Sequence, residues 1–243
     1  MGILMLSFQI QTIDNQMVHD FGFTLTESIR YVNWLRDTKT IEYKLTDDLI
    51  DDIVYLPIGS VEFVETWLSK YYNKVPEPLN IPIEFLKRKD LLNRRVLYLK
   101  GSQIDSRPCF IKETDKTKGE TFLNSDNIKL NPDSYYMISE LLDIESEWRG
   151  FVYNKKLVGL QNYSGDFTNF PNVKAIYKMI DLFESTDDVP IAYTIDVCIS
   201  GNRTSLIELH HFYSCGLYGF ADLNNLAYMN AHWFHWYRLC KRL

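Results

Sequence analysis

The sequence predicts an α+β fold, mostly antiparallel strand with a few helices, led by a small α/β unit. Three observations lead there. Strand and helix patterns alternate over the first 75 residues. Three prolines (Pro76, Pro78, Pro82) then stop either element from continuing. Beyond them period-2 alternation dominates, most clearly from Ile191 to His210. The expected division is a small α/β domain over 1–82 and a second domain over 83–243, with two lobes meeting near Val75–Ile83.

In chain order, residues 3–13 and 40–45 read as strands, and Thr26–Leu35 as a helix capped by Thr24 or Thr26. Asp52–Ile58 is a short apolar strand. Ser60 opens a helix with Val61, Val64, Trp67, Leu68 and Tyr71 at helical spacing. After the prolines, Glu84–Asn93 looks helical. Arg95–Lys100 and Arg107–Glu113 look like strands, followed by a polar loop over Thr114–Glu120. Tyr135–Leu142 is a strand, Glu147–Tyr163 a hairpin turning at Asn154-Lys155, and Asn172–Phe183 a helix. The tail from Leu223 to Leu243 is helical and aromatic, which suits packing or a homodimer contact.

At 243 residues the chain can bury a sizeable core, and its 46% hydrophobic and 24% charged content is that of a globular protein. A net charge of −6 argues against general nucleic-acid binding, which needs a basic surface. The four cysteines form no CxxC pair. Neither a secretory signal nor an apolar run long enough for a membrane span is apparent, so a cytoplasmic location is expected.

The chemistry concentrates in the last hairpin. Asp196 falls on the face opposite Ile195 and Val197. With a three-residue loop Gly201–Arg203, Ser200 pairs with Thr204, and Asp196 then opposes Glu208 while Thr194 opposes His210. A four-residue loop would break that pairing. Two carboxylates about 5 Å apart repel, so a cation belongs between them, and a hard divalent ion suits oxygen ligands. If no metal is bound, this reading makes the pair a source of strain that Glu208→Gln would relieve.

Two other segments carry charge on strands. Phe110-Ile111-Lys112 delivers a lysine to a loop holding Lys116, Lys118 and Gly119, an arrangement for polyphosphate that a solvated hairpin loop would also explain. In the hairpin from Glu147, a two-residue turn sets Arg149 against Leu160 and Glu147 against Asn162. Glu147, Arg149 and Phe151 share a face, so the acid can hold the guanidinium as an anion clamp, or the two can form an exposed ion pair. Adjacent His210 and His211 point to opposite faces, and HxxH at His232 and His235 lacks a third ligand.

Taken in succession, the strand lysine and Gly loop, the apolar edge Ile138-Ser139-Glu140-Leu141-Leu142, the ExR hairpin, Asp196 with Glu208-x-His210, and the small loop Ser214–Leu217 resemble the ATP-grasp superfamily. The likeness covers roughly residues 85–220 and is greatest to the ribosomal-protein glutamate ligase branch of carboxylate–amine ligases and to short phage ATP-grasp proteins. It implies an ATP-grasp fold of two α+β lobes around an ATP cleft, and a ligase that forms an amide through an acylphosphate. It also implies the residue roles. Lys100 (Lys87 as second choice), Lys112, Lys118 and Gly119 attend phosphate, Glu140, Leu141 and Leu142 form the edge for the base, Glu147 also belongs to the nucleotide site, and Arg149 and Lys118 serve catalysis. Asp196, Glu208 and His210 hold Mg²⁺, or Mn²⁺, because His210 stands where the family has Asn. The implied substrates are small-molecule or peptide carboxylates and amines. The alternative is a nucleotide-binding or interaction protein of this fold without turnover. A lysine-adenylating nucleic-acid ligase would need KxDG or KxNG, which neither Lys100-Gly101 nor Lys118-Gly119 provides.

Overall fold

The computed structural model describes residues 5–124 and 129–240. The first unit runs β1 (Leu6–Gln11), α1 (Asp20–Leu35), β2 (Ile41–Thr46), β3 (Tyr55–Ile58) and α2 (Val61–Tyr72). Its strands form a parallel sheet in the order β2-β1-β3. The Ser60 hydroxyl accepts from the Phe63 N–H at 3.2 Å, capping α2 as expected. In α1 the expected capping is corrected. The helix begins at Asp20, and Thr24 and Thr26 lie inside it, donating to the carbonyls of Asp20 and Phe23.

After the prolines, the expected helix breaks into a 3-10 turn (Ile83–Lys87) and α3 (Lys89–Leu92), separated by Arg88 at φ −101° and ψ 73°. A four-stranded antiparallel sheet follows, built from β4 (Val96–Lys100), β5 (Phe110–Glu113), β6 (Thr121–Leu123) and β7 (Tyr135–Ser139), in the order β4-β7-β5-β6. The second antiparallel sheet holds β8 (Ser146–Tyr153), β9 (Lys156–Gly165), β10 (Ala192–Ser200) and β11 (Arg203–His211), in the order β11-β10-β8-β9. Helix α4 (Val173–Glu184) bridges β9 and β10, and α5 (Leu226–Cys240) closes the described chain. Residues 3, 4 and 241–243, expected in the first strand and last helix, lie outside the described residues.

Alternation in β8 and β10 gives the larger sheet two apolar faces. Trp148, Val152, Tyr193, Ile195 and Val197 pack on α4 residues Ile176, Met179 and Ile180, in a cluster that also takes Val96 and Met137 of the smaller sheet. On the other face, Phe151, Tyr153 and Ala192 join Phe8, Leu25, Val64 and Trp67 of the first unit and Trp233 and Tyr237 of α5 in one core. The expected boundary near Val75–Ile83 therefore separates sheets, not cores. Asn80 within it bridges to the β11 edge, its carbonyl accepting from the Leu209 N–H at 2.8 Å.

That second core takes up the aromatic face of the C-terminal helix, the packing role expected of it. Trp233, Phe234 and Tyr237 are buried inside their own chain, leaving His235, Arg238 and Leu239 outward. Among the described residues no helix is long and apolar enough to cross a membrane.

Candidate functional site

Asp196 does face Glu208, but by a different route from the one expected. The turn holds two residues, with Ser200 paired to Arg203, which alone would slip the register by one. A bulge at Ile207 restores it: Val197 pairs with Leu206, Asp196 with Glu208, and Thr194 with His210. On its other side Asp196 pairs with Arg149 of β8, so Arg149, Asp196 and Glu208 form a row across three strands.

The β8–β9 pairing departs from expectation. The turn at Asn154-Lys155 is as read, but bulges at Val158 and Tyr163 shift the ladder, setting Arg149 against Gln161 and Glu147 against Ser164. A bulge re-aims side chains beside it. Tyr163, the unpaired residue of the second bulge, stacks on Tyr218 with ring centroids 5.0 Å apart, and the Arg149 guanidinium lies 5.8 Å and 5.0 Å from the two rings.

Arg149 is held by Asp196, not by Glu147. Its Nε and Nη2 donate to the two Asp196 oxygens at 2.8 and 2.7 Å, and Nη1 donates to the Gly216 carbonyl at 3.1 Å. His210 Nε2 lies 3.4 Å from Asp196 Oδ2 and 3.3 Å from Glu208 Oε1. Lys112, reaching from β5 of the smaller sheet, pairs with Glu208 Oε2. Every acid of the row thus has a cationic partner from the protein, which overturns the expected strain between unneutralised carboxylates.

These pairings set the proton affinities. Burial works against charge on both acids, yet Arg149 and then His210 hold Asp196 below the usual carboxylate range. His210 and Lys112 bring Glu208 down to about 2 against the same opposition. Burial disfavours charged His210, and the two carboxylates outweigh it and raise its pKa. Glu147 is raised by burial. Its neighbour across β10, Cys198, is pushed up to about 11 by burial, so it packs as a small apolar group.

Asp196, Glu208 and His210 each offer one ligand atom, all within 4.8 Å of one another, so a single divalent ion fits two carboxylates and an imidazole. Lys112, Lys118, Glu208 and His210 line one small cleft with Lys116, Thr117 and Asn80. Lys100 lies on the same sheet face as Lys112, since it pairs with Tyr135 and Lys112 with Met137, two residues along β7. Lys87 is exposed on the 3-10 turn. Gly119 is locked against the Glu113 carbonyl, where a Cβ would sit at 2.5 Å, so the loop closes tightly on β5.

The stretch Glu140–Leu142 leaves the smaller sheet, because β7 ends at Ser139. Glu140 is spent on Arg95: its N–H donates to the Arg95 carbonyl at 3.1 Å and its carboxylate accepts from the Arg95 N–H at 2.8 Å. Leu141 and Leu142 make no backbone hydrogen bond among the described residues, which leaves their groups open to a ligand.

Sequence reasoning missed Tyr163, Tyr218 and the Gly216 carbonyl. A tyrosine before Gly219 in the small loop was the available signal. Tyr218 takes a left-handed φ of +50° and Gly219 one of +87°, a turn that aims the ring back at Arg149. Also missed was the chain Thr117–Tyr213–Glu65, with contacts of 3.3 and 3.0 Å, which ties the lysine loop to α2.

No curated protein matches this chain by sequence. Solved structures do match. D-alanine–D-alanine ligase from Bacillus anthracis, complexed with ATP, is similar with a TM-score of 0.51 at 9% identity, over 98% of both chains. N5-carboxyaminoimidazole synthetase from Staphylococcus aureus matches with a TM-score of 0.52 at 11% identity, over 91% of this chain and 77% of that one. A RimK domain ATP-grasp protein from Sphaerobacter thermophilus matches at 0.50 and 12%, over 93% and 98%. A family model described as an ATP-grasp domain, family 2 of its clade, matches residues 90–228, more than half of the sequence, and the chain therefore belongs to that ATP-grasp family.

Proposed function

We propose that this protein is an ATP-dependent carboxylate–amine ligase. The observation that carries the reading is the Asp196–Glu208–His210 cluster, set on paired strands directly beside Lys112 and its lysine loop. Lys112, Lys118 and the Gly119 loop meet the phosphates, with Lys100 on the same sheet face. The open backbone of Leu141-Leu142, next to Glu140, suits the edge of the base, and half-buried Glu147 completes the nucleoside side.

Asp196, Glu208 and His210 would hold the divalent ion, which would supply positive charge to phosphate oxygens. Mn²⁺ suits this donor set better than Mg²⁺, because imidazole is a poor partner for so hard a cation. The substrate carboxylate attacks the γ-phosphorus and ADP leaves. An amine then attacks the acyl carbon, loses its proton, and displaces inorganic phosphate to leave an amide. No side-chain nucleophile is needed. What the chain contributes is charge in fixed places: Arg149, locked by Asp196 and Gly216, keeps the Asp196 carboxylate ionised and oriented. Tyr163 and Tyr218 wall the guanidinium on its remaining sides.

Engagement of all three Arg149 nitrogens within the protein also favours a second reading, a nucleotide-binding protein without turnover. One experiment separates them. Purified protein is incubated with ATP, Mn²⁺ or Mg²⁺, and pools of amino acids and peptides, and phosphate release and mass gain in the pool are followed. Substrate-dependent phosphate release with a condensed product supports the ligase. Nucleotide binding with neither supports the second reading.

A further inference from the structure

Lys112 is the one lysine with a buried side chain among the described residues. It is 8% exposed, and its one ion-pair partner among the described residues is Glu208. The two come from different sheets, Lys112 from β5 and Glu208 from the β11 edge strand. Glu208 is at the same time one of the three groups able to hold a divalent ion. Its Oε2 is taken by Lys112, while both Asp196 oxygens are taken by Arg149. A metal ion arriving alone would therefore have to share Glu208 with an ammonium, or leave that ammonium buried without a counter-charge. Both are costly in a site with little solvent.

A polyphosphate changes that balance. The cleft holding Lys112 and Glu208 is also lined by Lys116, Thr117 and Lys118, so phosphate oxygens seated there lie beside the ammonium. Lys112 can then trade Glu208 for phosphate, and the released carboxylate can trade Lys112 for the metal. Each charge keeps a partner throughout. We propose that Lys112 is a counter-ion gate, holding Glu208 closed to divalent ions until nucleotide phosphates draw the ammonium away. This rests on the nucleotide reading of the same cleft, but it concerns metal binding in the nucleotide's absence, where that reading makes no demand.

The test is Mn²⁺ binding without nucleotide, read by the electron paramagnetic resonance of free Mn²⁺. Wild type is compared with Lys112→Met and, should that variant fold poorly, with Lys112→Gln. Circular dichroism melts establish that each is folded. The gate requires a folded variant to bind Mn²⁺ at least tenfold more tightly than wild type. Equal affinity in wild type and either folded variant overturns the proposal, since it would make the ion pair a structural staple only. In the unmodified protein, the side-chain ¹⁵N resonance of the buried ammonium offers a second reading. It should shift on adding ADP in EDTA and stay put on adding Mg²⁺ alone, and a shift with Mg²⁺ alone overturns the gate. Failure of ADP to bind wild type would count against the nucleotide site and against phosphate as the opener, whereas a gain of Mn²⁺ affinity in Lys112→Met would still show that Lys112 holds Glu208 closed to the metal.

Discussion

Lys112 and Glu208, 96 residues apart and on different sheets, are each other's counter-ion. With their side chains only 10% and 19% exposed, neither is well served by water once the other is removed.

Glu208→Gln should therefore destabilise the metal-free protein, the reverse of what repulsion between bare carboxylates implies. Removing one member of a buried ion pair costs roughly 2–4 kcal/mol, more than relief of the Asp196 contact returns. Urea unfolding in EDTA measures this. An unchanged or higher midpoint would mean that Lys112 finds another partner.

Arg149→Lys should fail despite keeping the charge. A single ammonium cannot make the bidentate contact to Asp196 together with the bond to the Gly216 carbonyl. A loss of about 2–3 kcal/mol in stability is expected, from a buried carboxylate left half-satisfied. Equal melting temperatures would contradict the locking role.

Gly159 tests the packing behind the site. A Cβ there would sit 2.4 Å from two Phe220 ring carbons, and Phe220 is itself stacked on Phe151 at 4.0 Å. Neither ring has room to retreat in a close-packed core. Gly159→Ala should cost about 1–3 kcal/mol by thermal or urea unfolding, and a neutral result would mean that the Phe220 loop yields.

His211 gives the protein an acid limit. Trp233 Nε1 donates to its Nδ1 at 3.2 Å, so Nε2 carries the proton, facing the Glu77 carbonyl at 3.0 Å. Burial lowers its pKa from 6.5 to about 4. A histidine depressed in the folded state contributes stability that is complete above the unfolded pKa and is lost as pH falls from 6.5 toward 4. His210, raised by Asp196 and Glu208 despite its burial, works in the opposite sense, adding stability at low pH that is lost as pH rises through its folded pKa. The comparison that isolates His211 is thus wild type against His211→Gln. Between pH 7 and pH 4.5 wild type should lose on the order of 2 kcal/mol more than the variant. Parallel pH profiles would contradict the assignment.

Much of this architecture was legible in the chain. Period-2 alternation places Asp196 and Arg149 on the faces they occupy, and the Asn154-Lys155 turn sits where turn chemistry puts it. Less legible were the bulges at Ile207, Val158 and Tyr163, because a residue that drops out of a ladder is chosen by packing on either side of the sheet, not by its own type. One bulge compensated for a turn shorter than expected, so Asp196 and Glu208 met anyway. The others moved Arg149 and Glu147 off their expected partners. Invisible in principle was the charge pairing. Lys112 meets Glu208 only because the two sheets close on each other, and no local pattern near either residue encodes that approach.

Mn·ATP binding to wild type and to Glu208→Gln, followed as the shift in melting temperature and by calorimetry, shows whether Glu208 holds a metal beside nucleotide phosphates. Nucleotide bound with metal at this cleft should raise the melting temperature of wild type, and loss of one anionic ligand should cut the affinity of Glu208→Gln more than tenfold. No shift in wild type would rule out a nucleotide site in this cleft, and the same shift in both proteins would rule out Glu208 as a metal ligand.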